Sequence, residues 1–186
     1  MRLFVAVNLP DDVRQGIWTA TEPLRRAGLP VKWVEPDDIH LTLKFLGEVA
    51  DERQDEIAAG VEQGARGARP FQVPVSGFGA FPSVERPRVI WVGCEGVPPL
   101  ELLLHHMERE MERLGFPLEG RPFRPHLTLG RAQKDSRPAQ LRELETLLEG
   151  LSFEADPLVR SVELMESRLG PAGATYRAVR SVEFES

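Results

Sequence analysis

The sequence predicts an α+β protein built from two similar lobes. Along its 186 residues, segments with strand periodicity come in pairs and segments with helical periodicity lie between them. The tetrapeptide HLTL occurs at residues 40–43 and again at 126–129, each time between two helical segments. No linker or low-complexity segment divides the chain. We therefore expect one domain, residues 1–186, whose lobes are related by an approximate two-fold axis.

In the first half of the chain, turn and capping residues separate the predicted elements. The apolar run RLFVAVN is typical of a buried strand, and Gly47 ends the strand that holds the first HLTL unit. Asp51 is suited to cap a helix whose Ile57 and Val61 face inward. The expected strands are 2–8, 31–34 and 39–46, and the expected helices are 11–27 and 51–66.

The second half repeats this order. Prolines and glycines interrupt residues 69–83, which predicts an edge strand or a bulged one. Gly115 is expected to end a helix that begins near Pro98, and residues 168–174 read as a turn. The expected strands are 86–94, 123–132, 153–156, 158–167 and 175–184, and a further helix is expected at 138–149.

Composition narrows the class of protein. The chain is 41% hydrophobic and 28% charged, which is normal for a soluble globular protein. Its net charge of -6 argues against an extended, nonspecific nucleic-acid binder but allows a local basic pocket. No apolar run is long enough to span a membrane, and the opening MRLFVAVNLP is too short and polar for a signal peptide. We expect a cytoplasmic monomer that does not bind membranes.

The two HLTL units predict two strands that each carry a histidine and a threonine on the same face. Because side chains alternate along a strand, His40 and Thr42 share one face while Leu41 and Leu43 point to the other. The same alternation separates the histidine and threonine of the second unit, His126 and Thr128, from their leucines. If the two strands lie side by side, two imidazoles and two hydroxyls meet in one cleft. By the same alternation Lys44 shares the face of Thr42, and Phe45 falls on the core side.

Two imidazoles suit a reaction that takes up one proton and releases another. One ring can be neutral and accept a proton while the other is protonated and donates one. The threonine hydroxyls can donate to a phosphoryl oxygen as its charge builds. Lys44 and Arg131 lie within a few residues of the two units and can supply positive charge.

Other readings of the histidines and the cysteine are weaker. A single His-x-Thr on a strand is usually structural, but two identical copies favour catalysis. Zinc sites use three or four ligands at spacings that this chain lacks, so no metal is expected. His105 and His106 are adjacent on a helix, point about 100° apart and are read as structural. Cys94, in the apolar run VIWVGC, is read as a small buried hydrophobe.

The stretches WVEPDDIHLTLKFLGEV and RPHLTLGR, on a chain that opens MRLFVAVNLP, resemble the two-histidine phosphoesterases. The resemblance is to the RNA 2′,3′-cyclic phosphodiesterases, also called 2′-5′ RNA ligases, and it covers nearly the whole chain. It implies a bilobal α+β fold in which two antiparallel sheets surround a central cleft and helices pack outside. It also implies hydrolysis of a terminal 2′,3′-cyclic phosphate on RNA to a 2′-phosphate, with no metal or cofactor.

The resemblance also implies roles for individual residues. His40 and His126 match the general acid and base; the assignment stays open, with His40 preferred as the acid. Thr42 and Thr128 match phosphate-binding hydroxyls. Phe45 and Arg131 match positions that hold the terminal base, and Arg131 also suits the phosphate. The cations expected to steer an RNA end are Lys44, Arg121, Arg124 and Arg168. The aromatic residues expected in the core or the cleft wall are Trp33, Phe78, Trp91 and Tyr176.

Alternative functions use the same residues. One is 2′-5′ RNA ligation or its reverse, 2′-5′ phosphodiester cleavage. Another is hydrolysis of a small cyclic phosphate, and a third is an RNA-end binding module without turnover. The expected partners are RNA 3′ ends, tRNA fragments among them, or nucleoside cyclic phosphates.

Overall fold

The structure is a computed structural model that describes residues 1–186. Eleven strands and five α-helices follow one another along the chain. The strands are β1 Arg2–Asn8, β2 Val31–Trp33, β3 His40–Glu48, β4 Phe71–Gln72, β5 Val75–Pro82, β6 Pro87–Cys94, β7 His126–Ala132, β8 Glu154–Ala155, β9 Leu158–Val159, β10 Ser161–Gly170 and β11 Gly173–Glu183. The helices are α1 Asp11–Ala20, α2 Glu22–Arg26, α3 Gln54–Gly64, α4 Pro98–Arg113 and α5 Leu144–Glu149.

Nine of the strands form one antiparallel sheet, and β4 and β9 form a smaller one. The order across the large sheet is β11-β10-β1-β3-β7-β6-β5-β8, and β2 also pairs with β7. We call β1, β3, β10 and β11 the first lobe, and β2, β5, β6, β7 and β8 the second lobe. The lobes join where β3 meets β7, through the single pair Leu41 and Leu127. The expected α+β class is confirmed, and the sheets of the two lobes are continuous through the HLTL units.

A single hydrophobic core lies between the large sheet and the helices. It contains 35 buried residues drawn from both lobes, including Leu41 and Leu127 at the junction. On β1, alternate residues such as Leu3 and Val5 enter this core. Phe4 and Ala6 enter a smaller apolar cluster on the opposite side of the sheet. We call that opposite side the cleft face. Both faces of β1 are therefore covered, which explains its continuous apolar run.

One helix, α4, packs away from the strands that it connects. α4 links β6 to β7, which both belong to the second lobe, yet it packs against α3, and α3 packs on β10 and β11 of the first lobe. α5 packs on α2 and on β5 of the second lobe. No helix of the structure is long and apolar enough to cross a membrane.

Element boundaries differ from the expected ones where proline or tertiary pairing intervenes. The helix expected at 11–27 is broken at Thr21, because Pro23 cannot donate a backbone N–H and begins a new helix, α2. The helix expected at 138–149 opens as a 3-10 turn, Pro138–Leu141, and becomes α-helical at Leu144. Residues 168–170 and 173–174, expected to form a turn, instead extend β10 and β11 into a longer hairpin.

Candidate active site

The two HLTL units lie side by side on adjacent antiparallel strands. Because Leu41 is paired with Leu127, the register sets His40 opposite Thr128 and Thr42 opposite His126. His40 and His126 are therefore diagonal neighbours across the two strands. Such neighbours are roughly 7–8 Å apart, so both histidines lie in one small area. The leucines are buried in the core, while the imidazoles and hydroxyls are half-buried on the cleft face. The structure thus brings together the four side chains that the repeated motif singled out.

A β-bulge follows the threonine in both units. On β3, pairing with β1 steps from Ala6–Thr42 to Val5–Lys44, so Leu43 is an extra residue. On β7, pairing with β6 steps from Trp91–Thr128 to Ile90–Gly130, so Leu129 is extra in the same way. A bulge of one residue reverses the alternation of every side chain beyond it.

The bulge on β3 turns Lys44 away from the cleft. Its side chain lies in the helix layer and is 6% exposed. The ammonium donates to both carboxylate oxygens of Glu108 on α4, at 2.9 and 3.0 Å, and to the carbonyl of Pro117 at 2.8 Å. The expectation that Lys44 shares the face of Thr42 is wrong, because simple alternation does not allow for the extra residue. Lys44 is therefore not placed to contact a bound phosphate.

The same bulges turn Phe45 and Arg131 toward the cleft. Phe45, expected on the core side, is 65% exposed, and its ring centroid lies 6.1 Å from that of Phe4. Arg131 occupies the equivalent place in the second unit, five residues after its histidine, and is also exposed. An aromatic ring and a guanidinium therefore flank the histidine–threonine group at corresponding positions of the two lobes.

Both imidazoles are held in one tautomer by the backbone. His40 donates from Nδ1 to the carbonyl of Asp38 at 2.8 Å, and His126 donates from Nδ1 to the carbonyl of Arg124 at the same distance. In each case the acceptor lies two residues before the histidine. With the proton on Nδ1, the neutral ring leaves its Nε2 lone pair free to accept a proton.

The surroundings of the two rings differ. The His40 ring lies 4.9 Å from the Phe4 ring and meets the Tyr176 ring edge-on at 5.2 Å. Burial lowers the pKa of His40; the hydrogen bond to Asp38 opposes the shift, and the positive charge of Arg131 adds to it. The His126 ring meets Phe81 edge-on at 5.0 Å.

Tyr176 lies in the cleft and faces charged groups from several elements. Burial raises the pKa of its phenol; the cations of Arg131 and Arg2 oppose the shift, and the carboxylate of Asp38 adds to it. The phenol therefore stays protonated at neutral pH and can donate a hydrogen bond. The positive charge of Arg131 acts on the pKa of both His40 and Tyr176.

The other candidate cations, Arg121, Arg124 and Arg168, lie on different parts of the structure. Arg124 and Arg121 are exposed on the segment that leads into β7, and the contact of Arg124 with His126 is made by its carbonyl. Arg168 pairs with the buried carboxylate of Glu166, which Arg177 also binds. The Arg168 side chain nevertheless stays 63% exposed, and its role in steering remains a prediction.

The tryptophans and Phe78 line the second lobe. Trp91 is paired with Thr128 on the cleft face, and its ring lies 5.2 Å from that of Phe81. Trp33 packs over Gly130 at the edge of the core, where a Cβ on the glycine would collide with the indole. Phe78 packs against the core and faces a separate surface groove beside Phe153.

The other singled-out residues lie outside this group. His105 and His106 are both exposed on α4, with ring centroids 6.0 Å apart. Burial raises the pKa of the Cys94 thiol to about 12, so the thiol is not nucleophilic at neutral pH.

Sequence reasoning did not identify the buried carboxylate of Glu163. It is 5% exposed on the cleft face, across β1 from Thr42. It accepts hydrogen bonds from the backbone and side-chain nitrogens of Asn8 at 3.3 and 3.2 Å, from Ser161 at 2.5 Å and from Ser181 at 3.1 Å. Asn8 is in turn the strand partner of His40. The polar Asn8 at the end of an apolar strand was the available signal.

The match to known proteins agrees with this geometry. The family model described as LigT-like phosphoesterase matches residues 7–91 and 94–176, which together include both HLTL units. The chain belongs to the LigT-like phosphoesterase family. It is 34% identical to the RNA 2′,3′-cyclic phosphodiesterase of Methanothermobacter thermautotrophicus, over 95% of each chain. It is 32% identical to the protein of the same name from Thermotoga maritima, over 100% of this chain and 96% of that one.

Two solved structures share the fold over nearly the whole chain. The protein TT0787 of Thermus thermophilus has a TM-score of 0.83 at 29% identity, covering 99% of this chain and 98% of that one. E. coli LigT, solved in complex with NADP+, has a TM-score of 0.72 at 25% identity, covering 100% and 98%.

Proposed function

We propose that this LigT-like phosphoesterase hydrolyses the terminal 2′,3′-cyclic phosphate of RNA to a 2′-phosphate, without a metal ion. The observation that carries the proposal is the crossed pairing of His40 with Thr128 and of Thr42 with His126, with both Nε2 atoms free. The names of the curated relatives support the same substrate. A pure RNA-end binder would have no need of two imidazoles held with matching free nitrogens.

The reaction needs two proton transfers, one from the attacking water and one to the leaving O3′. Water attacks phosphorus, a new P–O bond forms, and the P–O3′ bond breaks. A neutral imidazole takes the proton of the attacking water through Nε2, and a protonated imidazole gives its Nε2 proton to O3′. The products are a 2′-phosphate and a free 3′-hydroxyl. Thr42 and Thr128 donate to the non-bridging oxygens, whose charge increases in the transition state.

We infer that His40 is the acid and His126 the base, the assignment preferred from the sequence. In the empty site, burial and the charge of Arg131 lower the pKa of His40. A bound phosphate is anionic and raises the pKa of a neighbouring imidazole. His40 therefore takes up its proton together with the substrate, and then delivers it to the leaving oxygen.

Phe45 and Arg131 bind the terminal nucleoside. The ring of Phe45 is 65% exposed on the cleft face, so a planar base can stack against it. Stacking on such a face is tolerant of base identity. The guanidinium of Arg131, five residues after His126, can bind either the base or an oxygen of the phosphate.

The decisive assay measures turnover of a short RNA that ends in a 2′,3′-cyclic phosphate, in the presence of EDTA. We expect a 2′-phosphate product and a bell-shaped dependence of rate on pH. Replacing either His40 or His126 by alanine should lower kcat by about 10²–10⁴-fold and leave RNA-end binding nearly intact. Turnover that requires zinc, or that survives the loss of either ring, would contradict the proposal.

A second substrate assigns the two roles. A 3′-deoxynucleoside 2′-(p-nitrophenyl phosphate) expels a leaving group that needs no protonation, so the acid becomes dispensable and the base does not. We expect His40→Ala to retain turnover of this ester and His126→Ala to lose it. The opposite pattern would reverse the assignment of acid and base.

A further inference from the structure

The β10–β11 hairpin extends beyond the large sheet as an arm. Pairing between β10 and β1 ends at Ser167 opposite Arg2, and β10 and β11 continue alone to Gly170 and Gly173. We call residues 168–175 the arm. Tyr176, at its base, meets the ring of Phe4 edge-on at 5.6 Å and lies beside His40. The arm therefore begins over the cleft face of the first lobe.

The tip of the arm reaches the second lobe. Gly173 has a φ of +118°, and a Cβ at this position would collide with the Cε and Nζ atoms of Lys32. Lys32 is the central residue of β2, which pairs with β7. The arm thus crosses from one lobe to the other and ends against a lysine ammonium.

Lys32 stands directly opposite Arg131 in the sheet. Its neighbours Val31 and Trp33 pack into or against the core, so Lys32 points to the cleft face together with Arg131. Neither cation forms an ion pair with a carboxylate. Like charges directly opposite each other on neighbouring strands are destabilising. An anion bound between them would relieve that repulsion, and none of the chain's own carboxylates does so.

The distance of this cation pair from the histidine–threonine group suits two neighbouring phosphates of an RNA strand. Arg131 follows Thr128 by three residues, one of which is the bulged Leu129, so the pair lies about 7 Å farther along β7 than the histidine–threonine group. That spacing is comparable with the separation of neighbouring phosphates along RNA. Lys32 and Arg131 share the cleft face with the histidine–threonine group, because β2 pairs with the same strand, β7, that holds His126 and Thr128.

We propose that Lys32 binds the phosphodiester on the 5′ side of the terminal nucleotide, next to the nucleoside that Arg131 contacts, so that the substrate is an oligonucleotide end. A mononucleoside 2′,3′-cyclic phosphate has no group for this position. The inference rests on the proposed hydrolysis at the histidine pair, and it adds a second phosphate site that sets substrate length.

The test compares two substrates, a dinucleotide that ends in a 2′,3′-cyclic phosphate and the corresponding mononucleoside cyclic phosphate. We expect Lys32→Ala to lower kcat/KM for the dinucleotide by about tenfold, the usual effect of losing one hydrogen bond to a charged group. The mononucleotide should be unaffected. The slope of log kcat/KM against log salt for the dinucleotide should become shallower by about 0.7, the value for one phosphate contact on a single strand. Lys32→Arg should restore most of the loss.

Two further variants serve as controls. Lys134→Ala removes an exposed lysine from the turn after β7 and should change neither substrate. Arg2→Ala removes an exposed cation at the opposite end of the cleft face, beside Ser167. If Arg2→Ala alone gives the loss that is specific to the dinucleotide, the RNA leaves by the other end and the inference is wrong.

The inference and the proposed function fail in different ways. If the wild-type protein turns over neither substrate, the hydrolytic function itself is wrong. If it turns over both, and Lys32→Ala affects them equally or not at all, hydrolysis stands and the second phosphate site does not.

Discussion

At the scale of single residues, two histidines with identical backbone contacts have different electrostatic surroundings. Each donates from Nδ1 to a carbonyl two residues earlier, so the repeated sequence makes a repeated tautomer. The repeated tetrapeptide was sufficient to predict the pairing of imidazoles with hydroxyls. It could not show that Tyr176 and Arg131 face His40, because those residues come from other strands and are separated from it by many positions.

The charge of Arg131 is expected to affect the titration of His40. A nearby cation disfavours the protonated ring, so Arg131→Ala should move the pKa of His40 upward, toward its ordinary value. The measurement is a pH titration of the His40 Cε1 proton by NMR in the substrate-free protein. Arg124→Ala, which removes a cation that is not a cause of the shift, should leave the titration in place. A downward movement in Arg131→Ala would contradict the cleft geometry.

At the scale of elements, one extra residue decides which side chains enter the site. Alternation correctly separates Leu41 from Thr42, and then fails for Lys44 and Phe45 because Leu43 is bulged. The bulge depends on how β3 is paired with β1, which is not encoded in the local pattern of β3. The buried partner of Lys44, Glu108, is 64 positions away, so local sequence offered no sign of that pair either.

The Lys44–Glu108 pair is expected to contribute to stability and not to substrate binding. Lys44→Met leaves the carboxylate of Glu108, which is 14% exposed, without its cation, and should lower the free energy of unfolding by about 3–5 kcal/mol. Urea denaturation checks the loss, and the double variant Lys44→Met/Glu108→Leu should recover much of it. KM for the cyclic phosphate should not change. A raised KM with unchanged stability would return Lys44 to the substrate site.

At the scale of the whole molecule, the two lobes share a hydrophobic core and a helix contact that the sequence does not indicate. The order of strands and helices could be predicted, because apolar periodicity and capping residues are local. The sequence could not predict that α4 packs with the helix of the first lobe, or that the two lobes share a core of 35 residues. Both features arise from packing between distant segments. The sequence predicts a turn for the arm because GPAG carries turn chemistry at its tip, and that chemistry hides the strands on either side.

The shared core predicts one cooperative unfolding transition. Two of the three tryptophans, Trp33 and Trp91, lie on strands of the second lobe and the third, Trp18, lies on α1, whereas Lys44 lies in the first lobe. In Lys44→Met, the transition followed by tryptophan fluorescence should therefore move to lower urea together with the transition followed by far-UV circular dichroism. A fluorescence transition that stays in place while the circular dichroism transition moves would mean that the lobes unfold separately.

The equivalence of the two bulged units bears on regiochemistry. A phosphate seated among His40, Thr42, His126 and Thr128 meets nearly the same groups when it is turned by half a revolution. The histidines alone therefore do not determine whether O2′ or O3′ leaves. Besides the different neighbours of the two imidazoles, an asymmetry that can orient the nucleoside lies five residues farther on, where one half offers the ring of Phe45 and the other the guanidinium of Arg131. In the proposed reaction, the choice of a 2′-phosphate over a 3′-phosphate is thus set by how the nucleoside is oriented before any proton moves.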